Sequence, residues 1–213
     1  MEETFKEKKK RAAEIVRLLK EEYPLSNCTL AYSDPLQLLI ATQLAAQCTD
    51  ARVNMVTPAL FRAYPDVYAF ANADELELRE AIRSTGFYKN KAKNIIGCCK
   101  KIISDFGGEV PKTMEELLTL PGVGRKTANL VLGDIFGIPG IVVDTHATRL
   151  SNRMGLTRNK DPHKIELDLL KLIEKEEQTD FCHRLVDHGR ACCPARTPKC
   201  ESCVLAPVCP KII

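Results

Sequence analysis

The chain has 213 residues, with 31 lysines and arginines against 28 aspartates and glutamates and a formal net charge of +3. That length suffices for one good-sized core or two small lobes, and the near-balance of charge neither demands nor excludes a nucleic-acid partner, so any basic patch must be local. No apolar run reaches membrane-spanning length and the charged N-terminus lacks the apolar stretch of a signal peptide, so a soluble, cytoplasmic chain without a membrane partner is expected.

Nearly every segment reads as helix. Ala12, Ile15, Val16 and Leu19 recur at helical spacing between Lys10 and Glu22. Ser33-Asp34-Pro35 offers a cap and a first-turn proline ahead of a helix from Leu36 to Gln47. Helices are predicted next over Asp50 to Ala63, Asp74 to Arg83 and Lys89 to Phe106. A short one follows from Thr113 to Leu118, with Thr113 and Glu116 spaced as a capping box. Pro121-Gly122-Val123-Gly124 forms a tight turn before a helix from Arg125 to Phe136, which Gly137, Pro139 and Gly140 break. Thr145 to Met154, Pro162 to Lys175 and Thr179 to Gly189 complete the pattern. Ile141-Val142-Val143 is the one strand-like fragment and is too short to build a sheet. The class is all-α, and the break at 137–140 is the candidate seam between two helical lobes.

Ten cysteines are many for an intracellular chain, and five of them (Cys192, Cys193, Cys200, Cys203 and Cys209) crowd the C-terminal end. A secreted disulfide framework would spread them more evenly and would need a signal peptide. Four thiolates, at Cys193 or its neighbour Cys192 and at Cys200, Cys203 and Cys209, can hold tetrahedral zinc or a [4Fe–4S] cluster, and spacing on general grounds does not choose. Prolines 194, 198, 207 and 210 favour a looped wrap around such a group.

The Gly122-Val123-Gly124 turn precedes a helix whose first free amides point into it. That is a ready anion site, and a DNA phosphate suits it. Arg125 and Lys126 in the first helical turn oppose the helix dipole, which suggests that an anion arrives there. An amine nucleophile at Lys126 would need desolvation or nearby positive charge to be deprotonated. A carboxylate at Asp144 would stabilise positive charge developing on a sugar and assist proton transfers. The plain alternatives are a solvated lysine and an ordinary helix cap at Asp144.

The run Leu120 to Asn129 followed by Val143-Asp144-Thr145-His146 resembles the endonuclease III family of helix–hairpin–helix glycosylases. So do Ala45-Ala46-Gln47-Cys48-Thr49-Asp50, Gly86 to Ala92, and His188-Gly189-Arg190 ahead of the cysteine tail. The resemblance spans nearly the whole chain. It implies a six-helix bundle over 28–138, a second helical lobe from 1–27 and 139–213 carrying the cluster loop 193–209, and damaged double-stranded DNA bound across a cleft between them.

It further implies that Lys126 is the nucleophile and Asp144 its carboxylate. Gln47 would fill the gap left by a flipped nucleotide, Phe87 would act as an apolar wedge, and Gly122, Val123, Gly124, Arg125 and His146 would contact DNA. The same resemblance decides for a [4Fe–4S] cluster on Cys193, Cys200, Cys203 and Cys209. The expected activity is that of a bifunctional glycosylase and abasic-site lyase removing oxidised or saturated pyrimidines, as a monomer on cytoplasmic or nucleoid DNA. The alternatives are a monofunctional glycosylase, in which Lys126 only meets phosphate, and a non-catalytic DNA-binding module with a zinc-bound tail. Gln43 and Cys48 depart from the family pattern near the expected lesion pocket.

Overall fold

The computed structural model describes residues 3–212, and among them every regular element is helical. The α-helices are α1 (Phe5–Glu22), α2 (Pro35–Leu44), α3 (Asp50–Ala63), α4 (Val67–Ala71), α5 (Glu75–Ala81), α6 (Tyr88–Phe106), α7 (Met114–Leu117), α8 (Arg125–Phe136), α9 (Thr145–Arg153), α10 (Pro162–Leu172) and α11 (Gln178–Ala191). Short 3-10 turns at Arg83–Thr85, Lys175–Glu177 and Cys200–Ser202 complete the set. No helix of the described residues is long and apolar enough to cross a membrane. The chain divides into two compact units, Cys28–Gly137 and the residues on either side of it taken together.

In the Cys28–Gly137 unit, α2 lies at the centre. Asp34 caps it by accepting from the Gln37 amide at 2.9 Å, and Pro35 occupies a first-turn position where its missing N–H costs nothing. Every residue from Leu38 to Leu44 is buried, the pattern of a helix surrounded on all sides, and α2 packs against α3, α6 and α8. The amphipathic α6 buries Ala92, Ile95, Ile96, Cys98, Cys99 and Ile102 on one stripe, together with one charged residue, Lys91. Burial pushes the Cys98 thiol up to about 12 and the Cys99 thiol higher still, so both behave as small apolar side chains.

The other unit is organised around α11, which packs against α1 and α9, while α1 also meets α10. Ala12, Ile15, Val16 and Leu19 are the buried stripe of α1. This helix starts at Phe5, ahead of the predicted Lys10, because Thr4 and Glu7 form a capping box in which Thr4 N–H donates to Glu7 at 2.8 Å. Where α9 crosses α11, a Cβ on Gly189 would stand 2.3 Å from His146 Nδ1 and 2.9 Å from Arg149 Nη2, so only glycine permits that approach.

Two differences from the predicted elements matter. The five-residue α4 is too short for periodicity to reveal. More important, α2 stops at Leu44 and not at Gln47: Ala45 is its C-cap and Gln47 adopts a left-handed backbone at φ 54°. Ala45 and Ala46 are good helix formers and carry no stop signal, so the ending is a tertiary decision.

Candidate nucleic-acid interface and metal centre

The hairpin between α7 and α8 closes with Val123 N–H donating to Leu120 O at 3.1 Å. Its two glycines do different jobs. Gly122 has φ 76°, and a Cβ there would lie 2.8 Å from Gln43 Oε1 and 2.9 Å from Asn94 Cβ, so glycine is required twice over. Gly124 has an ordinary φ of −105° and nothing within 4 Å of a built Cβ: it leaves open space in front of the helix. As N-cap of α8 it supplies no side-chain hydrogen bond, and no acidic residue occupies the first turn. Lys126 is exposed, Arg125 half-buried, and the Val123 side chain is buried. Any ligand contact from Val123 is therefore through its main chain.

Gln47 and Phe87 both sit at exposed turns with left-handed backbones, φ 54° and 49°, a region that non-glycine residues seldom adopt. Phe87 is 62% exposed rather than part of the core, and directly precedes α6. Both line a cavity of ≈ 490 Å³, open mouth included, with Gln43, Ala46, Asn90, Lys91, Asn94 and Gly122. The amide of Gln43 is buried without a hydrogen-bond partner among the described residues. Lys91 is buried, donates to Leu44 O at 2.7 Å and to Thr85 O at 2.8 Å, and has its pKa pushed down by desolvation. A lysine on the apolar stripe of α6 was the sequence signal for it.

In the other unit Asp144 is half-buried and caps α9, accepting from the Ala147 amide at 2.7 Å. His146 Nδ1 lies 3.2 Å from Arg149 Nη2, with its ring over Gly189.

The cysteine loop follows α11. Cys193, Cys200, Cys203 and Cys209 line one cavity of ≈ 400 Å³, open space included, with Leu150, Met154 and Leu205 among its apolar walls. None is in a disulfide. Arg153 Nη1 donates toward Cys193 Sγ at 3.3 Å, and its guanidinium also reaches Pro194 O at 2.8 Å and Ala195 O at 2.6 Å. His188 is fully buried, with Nδ1 3.2 Å from the Tyr23 hydroxyl and Nε2 3.6 Å from Cys203 Sγ. Burial holds the His188 pKa down at about 4, so the ring is neutral.

The nitrogens and sulfurs of His188, Cys192 and Cys203 also lie within 4.8 Å of one another, but Cys192 is not on the cavity wall, and its thiol points to Lys199 O at 3.7 Å. Burial pushes the Cys203 thiol up to about 11, so this sulfur needs a proton or a cation in its place. Four unpaired thiols around one cavity, with an N–H directed at one of them, fit a thiophilic metal or cluster. Arg153 carried no sequence signal and His188 only its place in the His188-Gly189-Arg190 run; each reaches the loop through the packing of α9 and α11.

Residues 40–175 match the model of the HhH-GPD superfamily base excision DNA repair proteins. Endonuclease III of Synechocystis sp. is 58% identical over 95% of this chain and 93% of its own length. The Bacillus subtilis endonuclease III is 46% identical over 88% of this chain and 86% of its own. A solved structure of a trapped endonuclease III–DNA covalent intermediate superposes with a TM-score of 0.91 at 42% identity, covering 95% of this chain and 96% of that one. The chain therefore belongs to the HhH-GPD superfamily of base excision DNA repair proteins and, within it, to the endonuclease III family.

Proposed function

We propose that this protein is a bifunctional DNA glycosylase and abasic-site lyase of base excision repair, acting on oxidised or saturated pyrimidines in duplex DNA. The observation that carries the reading is the start of α8, where an exposed Lys126 stands in the first turn of a helix that has no side-chain cap and open space before Gly124. A phosphate at those amides is favoured by the helix dipole and would bring the strand to the lysine. The Lys126 amine forms a bond to C1′ as the N-glycosidic bond breaks, and the base leaves with the bonding pair and takes up a proton. Ring opening gives an iminium, the adjacent C2′ proton becomes acidic, and its removal expels the 3′ phosphate by β-elimination.

The Asp144 carboxylate stabilises the positive charge that develops on the sugar while holding the first turn of α9. Gln47 and Phe87 enter the duplex as the damaged nucleotide leaves the stack, and His146 contacts the DNA. Cys193, Cys200, Cys203 and Cys209, all from one short segment and all lining one cavity, hold a [4Fe–4S] cluster that cross-links the tail, a structural role.

Borohydride trapping on a duplex bearing one thymine glycol tests this. The native chain is expected to form a covalent protein–DNA band, and Lys126→Ala to lose it on the order of a thousand-fold or more while still binding duplex. Base release without strand scission by the native chain, and no trap on an abasic duplex, would replace this reading with a monofunctional glycosylase.

A further inference from the structure

The two left-handed turns are tied to one side chain. Lys91, near the start of α6, donates to the main-chain oxygens of Leu44 and Thr85 at 2.7 and 2.8 Å. Leu44 is the last residue of α2, three positions before Gln47. Thr85 closes the 3-10 turn two positions before Phe87. Each oxygen lies at a helix end, where carbonyls lack intrahelical partners and a cation is favoured. Neither oxygen accepts a main-chain hydrogen bond from the turns that follow: Ala45 N–H goes to Ala41 and Gln43, Ala46 N–H to Gln43, and Gly86 N–H to Arg83.

Lys91 is 6% exposed, and no carboxylate pairs with it among the described residues. Burying an ammonium without a counter-charge is unfavourable unless its hydrogen bonds are well made. A methionine or leucine would fill the same stripe at lower cost, so core packing does not explain a lysine here.

We infer that Lys91 is a positioning residue that couples the Gln47 and Phe87 turns, so that both side chains enter the duplex as a pair at fixed spacing. The inference deepens the proposed function and rests on its assignment of Gln47 and Phe87 to DNA. Strain supports it: non-glycine residues hold left-handed backbones only where their surroundings over-determine them, and the two such turns next to one another here share one donor. With two of its three N–H groups engaged, Lys91 also lines the cavity that Gln47 and Phe87 line.

The test compares Lys91→Met in the native chain and in a Gln47→Ala/Phe87→Ala chain, by the rate of borohydride trapping on a thymine-glycol duplex. Beside it, a 2-aminopurine next to the lesion reports the opening of the stack. In the native background K91M is expected to slow trapping about ten-fold or more and to reduce the fluorescence change. In the background without Gln47 and Phe87 side chains it should matter less than about two-fold, because nothing remains to position. An equal factor in both backgrounds would make Lys91 merely structural and overturn the inference, as would no effect in the native one. A native chain that never traps would sink the proposed function itself, which separates the two failures. Should K91M not fold, hydrogen exchange on the native chain decides: the amides of 45–49 and 85–88 are expected to open with one common free energy, and independent opening overturns the coupling.

Discussion

Lys126 at the start of α8 and the cations packed around the loop after α11 are used in opposite ways. Around the cysteine loop Arg11 of α1, the arginines of α9, and Lys199 of the loop itself are turned inward. Arg11 reaches Met154 O at 2.6 Å, Arg149 reaches Cys193 O at 3.1 Å, Arg153 holds Pro194 and Ala195, and Lys199 caps α11 through Ala191 O at 3.0 Å. Lys199 is thus occupied with the fold. At the start of α8, Lys126 has no partner among the described residues and sits at the helix end that repels it. Cations at carbonyl-rich ends stabilise the fold, whereas Lys126 at an amide-rich end awaits an anion. A net charge of +3 conceals this distinction, and only an account of where each donor goes reveals it.

The comparison can be broken most forcefully at the cysteine loop. Cys200→Ser is expected to empty the metal site and lower the thermal midpoint by roughly 10 °C or more, read by iron content, visible absorbance and a melt. An unchanged midpoint would mean that the arginine contacts alone hold the loop. Next comes Asp144→Asn. Asparagine caps a helix as well as aspartate does, so the melt should move little while single-turnover base release slows about a hundred-fold. Equal activity would reduce Asp144 to a cap.

The smallest effects sharpen the comparison within the hairpin. Gly122→Ala must place a methyl against Gln43 and Asn94 at positive φ and should cost about 1–3 kcal/mol in denaturant unfolding. Gly124→Ala meets open space at an ordinary φ and should cost only about 0.5–1 kcal/mol, as a poorer cap. Its larger effect should be weaker duplex binding in a titration, since the methyl stands where the phosphate would approach. Unchanged binding would remove the anion from the start of α8.

Much of this was legible locally. The bounds of α3 and α8 follow from periodicity with clear stops, and the Thr113 cap from its spacing to Glu116, whose amide donates to the Thr113 hydroxyl at 3.3 Å. The family resemblance named four cysteines that the structure brings to one cavity. Gln43 could be flagged as an odd residue on a buried helix, but its unpartnered amide against Gly122 could not be foreseen.

By itself, then, the amino-acid sequence determined most of the helices and the hairpin between α7 and α8, because these rest on propensity, capping and spacing within a few residues. Only the tertiary structure decided where α2 ends, that Gln47 and Phe87 stand on strained exposed turns, that Lys91 joins those turns across 47 residues of sequence, and that Arg153 and His188 attend the cysteines. Those features depend on a donor meeting a carbonyl or sulfur on a distant helix, and no local pattern encodes which distant helix that will be.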